Sequence, residues 1–174
     1  MTAIRKAKLT DVPQMHRLIN EFANRKLMLP RSLGELYENM RDFVVAEDGE
    51  KLIGCGALHI VWDDLGEVKC LAIAPEFQKQ GIGTAIVRAL LDEATKVGLK
   101  RVFSLTYQPQ FFVHRGFQRI AKESLPHKIW SECIHCPQFP GCDEEAVTLN
   151  LGEQGKTPER PRKRPRPGGK RRKP

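Results

Sequence analysis

The fold of this chain is decided by the run LAIAPEFQKQGIGT, which extends from Leu71 to Thr84. An apolar strand ends before Pro75, a loop containing Gly81 and Gly83 follows, and a helical pattern then begins. The free N–H groups of the loop and of the first helical turn can converge on one phosphate group, assisted by the helix dipole and by Lys79. A Gly-x-Gly pair alone fits an ordinary strand–loop–helix junction equally well, and the Gly-Lys-Ser/Thr ending of a P-loop is missing.

Periodic patterns on both sides of this loop predict an α+β (α/β) domain in which strands dominate the middle and one long helix crosses back onto the sheet. Apolar residues alternate with polar ones in the strands and recur at helical spacing in the helices. In chain order the predicted elements are a strand at 4–8, a helix to about residue 24, a second helix that starts at the capping box Ser32–Glu35, strands at 43–47, 51–62 and 67–74, a helix over 83–97, a strand at 101–106, a short segment with Phe111 and Phe112, and a last strand from Gly116.

The basic charge is concentrated at the end of the chain. The net charge is +8, yet residues 156–174 alone carry ten Lys or Arg against one acid, so the rest of the chain is close to neutral. We predict one folded domain at 1–151, which includes a cysteine-containing extension at 121–151. A basic tail at 152–174 should be disordered, since it has too few apolar side chains to offset chain entropy. The tail can contact nucleic-acid phosphates weakly; the alternative is a solubilising extension.

Cysteine usage and targeting signals point to the cytoplasm. The N-terminus lacks the apolar region of a signal peptide, and no apolar run approaches the ~18–20 residues of a membrane span. In that reducing compartment the five cysteines should be thiols or metal ligands. Cys133, Cys136 and Cys142 are weak candidates for a metal site, with free thiols in a Pro-rich loop as the alternative.

Two motifs, with their spacing, resemble the GNAT acetyltransferase family. Gln78-x-x-Gly81-x-Gly83 is similar to the family's acyl-CoA-binding motif, and Phe111-Phe112-x-x-x-Gly116-Phe117 is similar to its second CoA-side motif. The resemblance implies a GNAT acyl-CoA N-acyltransferase fold, with a mixed central sheet flanked by helices, acetyl-CoA as co-substrate and no metal in the chemistry. The residues it assigns to CoA binding are Leu71, Ala72, Ile73, Gln78, Lys79, Gln80, Gly81, Ile82, Gly83, Thr84, Phe111 and Phe112.

Other segments resemble the acetyltransferase domain of N-acetylglutamate synthases, in the short form without an amino-acid-kinase domain. They are Leu29–Ser32, Phe43–Glu47, Leu58-His59, Asp64–Glu67 and Val102–Thr106. This resemblance implies acetyl transfer to the α-amino group of L-glutamate in a ternary complex, the first step of arginine biosynthesis, and it allows a homodimer. The alternatives are a GNAT enzyme for another small amine or a protein N-terminus, and a non-catalytic module associated with nucleic acid or the ribosome.

The reaction implies roles for three residues. Glu67 is the candidate base, directly or through a water, and strand alternation predicts that it shares a face with Leu71. A backbone N–H near Leu71 is the candidate donor to the oxyanion. Many family members place a Tyr where this chain has Phe112, so Tyr107 is the substitute candidate for the acid that protonates the leaving thiolate.

A dicarboxylic acceptor requires cations around its pocket. Lys26 and Arg31 lie in the loop between the first two helices, which in this fold borders the acceptor pocket, and an arginine can bind a carboxylate with two hydrogen bonds. Lys69 and Arg115 are further candidates. The alternative for Lys26 and Arg31 is an ordinary pair of solvated loop charges.

Overall fold

Seven strands form one mixed sheet in the computed structural model, which describes residues 2–126 and 141–153. In chain order they are β1 (Thr2–Lys6), β2 (Phe43–Asp48), β3 (Lys51–Ile60), β4 (Leu65–Ile73), β5 (Arg101–Thr106), β6 (Gln118–Ile120) and β7 (Glu145–Asn150). Their order across the sheet is β1-β2-β3-β4-β5-β7-β6. Neighbouring strands are antiparallel except β4 and β5, which are parallel.

Helices cover both faces of this sheet. They are α1 (Val12–Asn24), α2 (Leu33–Glu38), α3 (Ile82–Lys96) and the short α4 (Pro109–Val113). The predicted capping box at the start of α2 is confirmed: the Glu35 N–H donates to Ser32 Oγ at 3.2 Å, and the Ser32 N–H donates to the Glu35 carboxylate at 2.7 Å. The prediction of a mixed central sheet flanked by helices is confirmed as well.

The two faces of the sheet bury separate apolar clusters. On one face Ile86 of α3 packs with Val68, and on the other Met15 of α1 packs with Val45. All four side chains are fully buried. A Cβ at Gly56 would lie only 2.9 Å from Ile86 Cγ2, so α3 rests directly on the backbone of β3. Truncating Ile86 to alanine would therefore remove about 2–5 kcal/mol from the free energy of unfolding.

The last described strand is the main difference from the sequence prediction. The predicted order β-α-α-β-β-β-α-β-α-β is confirmed as far as β6, but β7 was missed. β7 inserts between β5 and β6, pairing along its whole length with Arg101–Thr106 on one side. Its alternating pattern is short and follows a Cys- and Pro-rich stretch, so local periodicity gave it little weight.

A β-bulge in β4 changes which residues share a face. Cys55 of β3 pairs with Ala72 of β4, and Ala57 pairs with Lys69, so β4 has one more residue than β3 between these two pairs. Within this stretch Cys70 has a left-handed φ of 55°. The extra residue shifts the alternation by one position. Leu71 packs on the α3 side, whereas Cys70 packs on the α1 side. The prediction that Glu67 shares a face with Leu71 is therefore wrong.

Candidate active site

An open cleft enters the sheet where β4 and β5 diverge. The two strands pair only from Leu65–Glu67 to Arg101–Phe103 and then separate. Just past this point Ser104 Oγ donates a 2.7 Å hydrogen bond to the Val68 carbonyl and bridges the strands. The cleft beyond has a volume of about 1590 Å³ and is lined by the ends of both strands, by the loop before α3 and by the loop between α1 and α2.

The loop before α3 is shaped as an anion-binding site. Lys79 and Gly81 have left-handed φ values of 62° and 84°, and Gly81 occupies the N-cap of α3 without a side-chain cap. Within the described part of the chain, the backbone N–H groups from Gly81 to Thr84 donate no hydrogen bond. The left-handed conformation is strained for Lys79, because it is not a glycine. Such strain occurs where consecutive backbone N–H groups must point toward one site. The loop therefore presents several N–H donors and the positive end of a helix dipole to the cleft.

An aromatic and cationic wall closes the other side of this loop. The Phe111 ring approaches to 3.2 Å of the position a Cβ would take at Gly83, so any side chain at this position would crowd the ring. The guanidinium of Arg115 lies 3.4 Å over the Phe111 ring centroid and donates from Nε to Thr84 Oγ1 at 3.1 Å. Arg115, predicted as an acceptor-binding candidate, thus lies at the N-terminus of α3 beside the anion-binding loop. Phe112 is almost fully buried and packs edge-to-face on Phe111.

Charged side chains gather on the α1 side of the cleft. Glu67 and Lys69 keep only 12% and 18% of their side chains exposed, with Glu67 Oε2 3.8 Å from Lys69 Nζ. On the adjacent strand β3, His59 lies directly opposite Glu67 in the antiparallel register. Its Nδ1 lies 2.9 Å from a carboxylate oxygen of Asp42. A carboxylate held in a shielded position within reach of a cleft is what a general base requires.

Arg31 faces the same region of the cleft. Burial lowers the pKa of its guanidinium, but the neighbouring Cys70, Glu35 and Glu67 outweigh this and leave the pKa above its ordinary value. Its Nη1 lies 3.5 Å from Glu35 Oε1, a long ion pair. Arg31 is thus a permanent cation that lines the cleft beside carboxylates.

Lys26 does not contribute to the cleft. Its backbone is left-handed, with a φ of 58°, and its side chain is exposed. The cleft-lining stretch of this loop begins at Leu27 and continues to Arg31. The residue turns the chain at the end of α1, and of the two loop cations predicted for the acceptor only Arg31 lines the cleft.

Tyr107 follows β5 and lines the cleft close to the segment that leads into β7. Burial and the nearby carboxylates of Glu144 and Asp143 raise the pKa of its phenol to about 12. Burial also raises the pKa of Glu144, which lines the same wall. Tyr107 therefore stays a protonated hydrogen-bond donor throughout the neutral pH range.

The cysteine hypothesis falls largely outside the described residues. Cys133 and Cys136 lie in the stretch 127–140, which is outside the described residues. The basic tail beyond residue 153 is also outside them. Cys142 Sγ is 3.7 Å from Glu144 Oε2, and burial raises the pKa of this thiol. No group of three or more metal-ligating side chains occurs among the residues at 2–126 and 141–153. The metal site stays a prediction.

Sequence reasoning missed some residues that shape the cleft. Glu144 was not singled out, and Ser104 and His59 entered only as parts of resembling segments. No local signal marks Ser104, because its role depends on the register between two strands. Glu144 precedes the strand that the periodicity did not reveal, so its position beside Tyr107 follows only from the fold.

Comparisons with known proteins agree with this geometry. The family model described as "Acetyltransferase (GNAT) family" matches residues 12–119. An uncharacterized N-acetyltransferase of Chlorobaculum tepidum is 36% identical over 150 residues, which cover 86% of this chain and 97% of that protein. The amino-acid acetyltransferase of Mycobacterium tuberculosis is 39% identical over 132 residues, which cover 74% of this chain and 75% of the relative.

A solved structure extends the similarity to three dimensions. N-acetylglutamate synthase from Neisseria gonorrhoeae, complexed with coenzyme A and N-acetyl-glutamate, superposes with a TM-score of 0.79 at 28% identity, over 87% of this chain and 35% of that chain. None of the described helices combines the length and apolar composition needed to cross a membrane. The predicted GNAT fold is confirmed. The chain belongs to the acetyltransferase (GNAT) family and is an acetyl-CoA-dependent N-acetyltransferase.

Proposed function

We propose that this chain transfers the acetyl group of acetyl-CoA to the α-amino group of L-glutamate, as the first step of arginine biosynthesis in the cytoplasm. One observation carries the proposal. A single cleft joins an anion-binding amide loop, at the start of α3, to a shielded carboxylate, Glu67, flanked by the cations Arg31 and Lys69. The first part suits a nucleotide-like thioester carrier, and the second suits an amino acid with two carboxylates.

The CoA half of the cleft would bind through the backbone. The amides of 79–84 would hold the diphosphate, with Arg115 adding positive charge beside Thr84. Past Glu67 the edge of β4 is no longer paired with β5, so backbone groups of Leu71 and Ala72 can meet the amides of the pantetheine arm. The Ile73 carbonyl, which accepts from Gln78 Nε2 at 3.1 Å, would share or exchange that partner. The arm would then run through the gap between the strands, with its thioester near the bulge at Cys70.

The chemistry is a direct transfer between two bound substrates. Glu67 accepts a proton from the substrate ammonium, directly or through a water, and the free amine attacks the thioester carbonyl. Backbone N–H groups at the bulge, near Leu71, would donate to the oxyanion, because a bulge leaves such groups outside the strand ladder. Collapse of the tetrahedral intermediate expels the CoA thiolate. The thiolate takes up one proton, and the nitrogen of the new amide loses one.

The leaving group needs little assistance. A thiol with an ordinary pKa of about 8.5 leaves readily as a thiolate. The phenol of Tyr107, whose pKa is raised to about 12, would stabilise this thiolate as a hydrogen-bond donor. Proton transfer from so weak an acid is uphill, so the final proton would come from solvent or from the attacking nitrogen.

The two carboxylates of glutamate would be recognised by two cations of different character. Arg31 can bind one carboxylate with two parallel hydrogen bonds, while Lys69 supplies a point charge to the other. Lys69 Nζ also lies 3.8 Å from Glu67 Oε2, so this cation and the proposed base border the same part of the cleft.

An acceptor panel tests this proposal. Thiol release from acetyl-CoA is measured with L-glutamate, other amino acids, a polyamine and a peptide with a free N-terminus, using the full chain and a chain truncated after Gly155. We expect release to be fastest with L-glutamate and unchanged by truncation. Turnover of another amine with none of glutamate would overturn the substrate assignment. Acetyl-CoA binding without turnover of any amine, combined with salt-sensitive RNA binding that the truncation abolishes, would favour a nucleic-acid module.

A further inference from the structure

The loop that carries Arg31 has almost no backbone support of its own. The last backbone bond at the end of α1 joins the Leu27 N–H to the Phe22 carbonyl at 3.1 Å, and the next begins at Ser32, whose carbonyl starts α2. Within the described residues, no backbone group of 28–31 bonds to another backbone group. A segment of this kind would be poorly ordered without side-chain anchors.

One side chain supplies this anchor. The Asn20 amide of α1 donates from Nδ2 to the Arg31 carbonyl at 2.8 Å, and its Oδ1 accepts from the Arg31 N–H at 3.2 Å. Nδ2 also donates to the His16 carbonyl at 2.9 Å, so both amide hydrogens are used. Exchanging the oxygen and nitrogen positions would set donor against donor and acceptor against acceptor, so the network fixes the amide orientation.

We propose that Asn20 is a positioning residue that holds Arg31 for the carboxylate of the acceptor. This inference rests on the proposed function, in which Arg31 binds that carboxylate. The amide holds the Arg31 backbone on both sides of its Cα, while the guanidinium meets Glu35 only at 3.5 Å. The backbone is therefore ordered before the substrate arrives, and the side chain keeps its capacity to bind. Such preorganisation lowers the entropic cost of the carboxylate contact.

The test compares Asn20 with a matched residue of the same helix. Gln14 is also a half-buried amide of α1 and accepts from the Leu52 N–H at 3.1 Å, but it ties α1 to β3 and does not line the cleft. Asn20→Ala and the near-isosteric Asn20→Asp should each raise KM for L-glutamate about tenfold, the order expected when a half-buried hydrogen-bonded anchor is lost. KM for acetyl-CoA should not change. Gln14→Ala should lower Tm about as much as Asn20→Ala does, but it should leave both KM values unchanged.

A double-mutant cycle separates this inference from the function on which it rests. If Asn20 acts through Arg31, Asn20→Ala should add less than twofold to KM for L-glutamate in an Arg31→Ala background, since interacting sites are not additive. If Arg31→Ala itself leaves KM for glutamate unchanged, the proposed carboxylate site is wrong. If Arg31→Ala raises KM but the Asn20 variants do not, or if they raise both KM values equally, the positioning role is wrong and the carboxylate site stands.

Discussion

Two arginine networks in this chain use the same residue types for different ends. Arg5 donates to the carboxylates of Asp11 and Glu47 at 2.6–3.0 Å and so ties β1 to β2 and to the turn before α1. The guanidinium of Arg31, in the cleft, lies 3.5 Å from the carboxylate of Glu35, a longer ion pair. A guanidinium whose donors are all engaged at short range stabilises the fold, whereas one with loose partners can exchange them for a ligand.

The largest effect should come from the carboxylate in the cleft. Glu67→Gln removes the proposed base and keeps the shape of the side chain, so kcat should fall about 10²–10⁴-fold, the usual contribution of general base catalysis. Acetyl-CoA affinity should stay unchanged, since the amide loop lies on another element. Steady-state kinetics combined with a direct acetyl-CoA titration checks both parts. Near-normal kcat would exclude Glu67 from proton transfer.

The next effect should separate the two arginines. Arg31→Ala should raise KM for L-glutamate about 100-fold, as expected when a charged hydrogen-bond pair is lost, with little change in KM for acetyl-CoA. Arg31→Lys should recover part of this loss, because a lysine keeps the charge but not the two parallel hydrogen bonds. Equal increases in both KM values would show that Arg31 supports the cleft as a whole and does not bind the acceptor.

The Arg5 network should respond in stability and not in kinetics. Arg5→Ala leaves the Asp11 carboxylate, which is 5% exposed, without its main partner, so the free energy of unfolding should fall by about 2–3 kcal/mol. KM for L-glutamate should be unchanged at a temperature where the variant is folded. Chemical denaturation and kinetics on the same preparation test this contrast. A change in KM for glutamate without a loss of stability would contradict the division between the networks.

The stability of the Arg5 network should also depend on pH. The Arg5 guanidinium lowers the pKa of Asp11 below its ordinary value, which outweighs the opposing effect of burial. A carboxyl group with a lowered folded pKa contributes stability above its unfolded pKa of about 3.9 and loses it as pH falls further. The Tm difference between the wild type and Asp11→Asn should be constant above pH 5 and shrink below pH 4. A difference that grows on acidification would contradict the assignment.

The smallest effect should be that of Lys26. Its exposed side chain lies outside the cleft, so Lys26→Ala should change neither KM by more than about twofold, the usual range for surface substitutions. A large increase in KM for glutamate would instead restore the sequence-based prediction that this lysine binds the acceptor.

Local patterns were enough to predict most of the elements and the glycine-containing loop before α3. The helices α1 to α3 and the strands β1 to β5 follow from periodicities that extend over five to fifteen residues, and the loop before α3 is a continuous motif. The capping box at Ser32 is read from a spacing of three residues. Each of these signals lies within one segment, so no knowledge of distant contacts is needed.

The remaining features depend on contacts between distant segments. The insertion of β7, the bulge at Cys70 and the bridge from Ser104 to Val68 are all set by strand register. The tie between Asn20 and Arg31 joins residues eleven positions apart across an irregular loop. Arg115 lies beside the amide loop because α4 packs against the start of α3. None of these arrangements has a local sequence signature, so sequence reasoning did not identify them.

The most direct test of the central claim is the part of the thiol-release rate that depends on L-glutamate. It is measured at saturating acetyl-CoA for the wild type, with mass analysis of the product. We predict a saturable rate and one acetyl group on the α-nitrogen of glutamate. Thiol release that is independent of glutamate, or a folded protein that does not bind acetyl-CoA at the amide loop, would contradict the account.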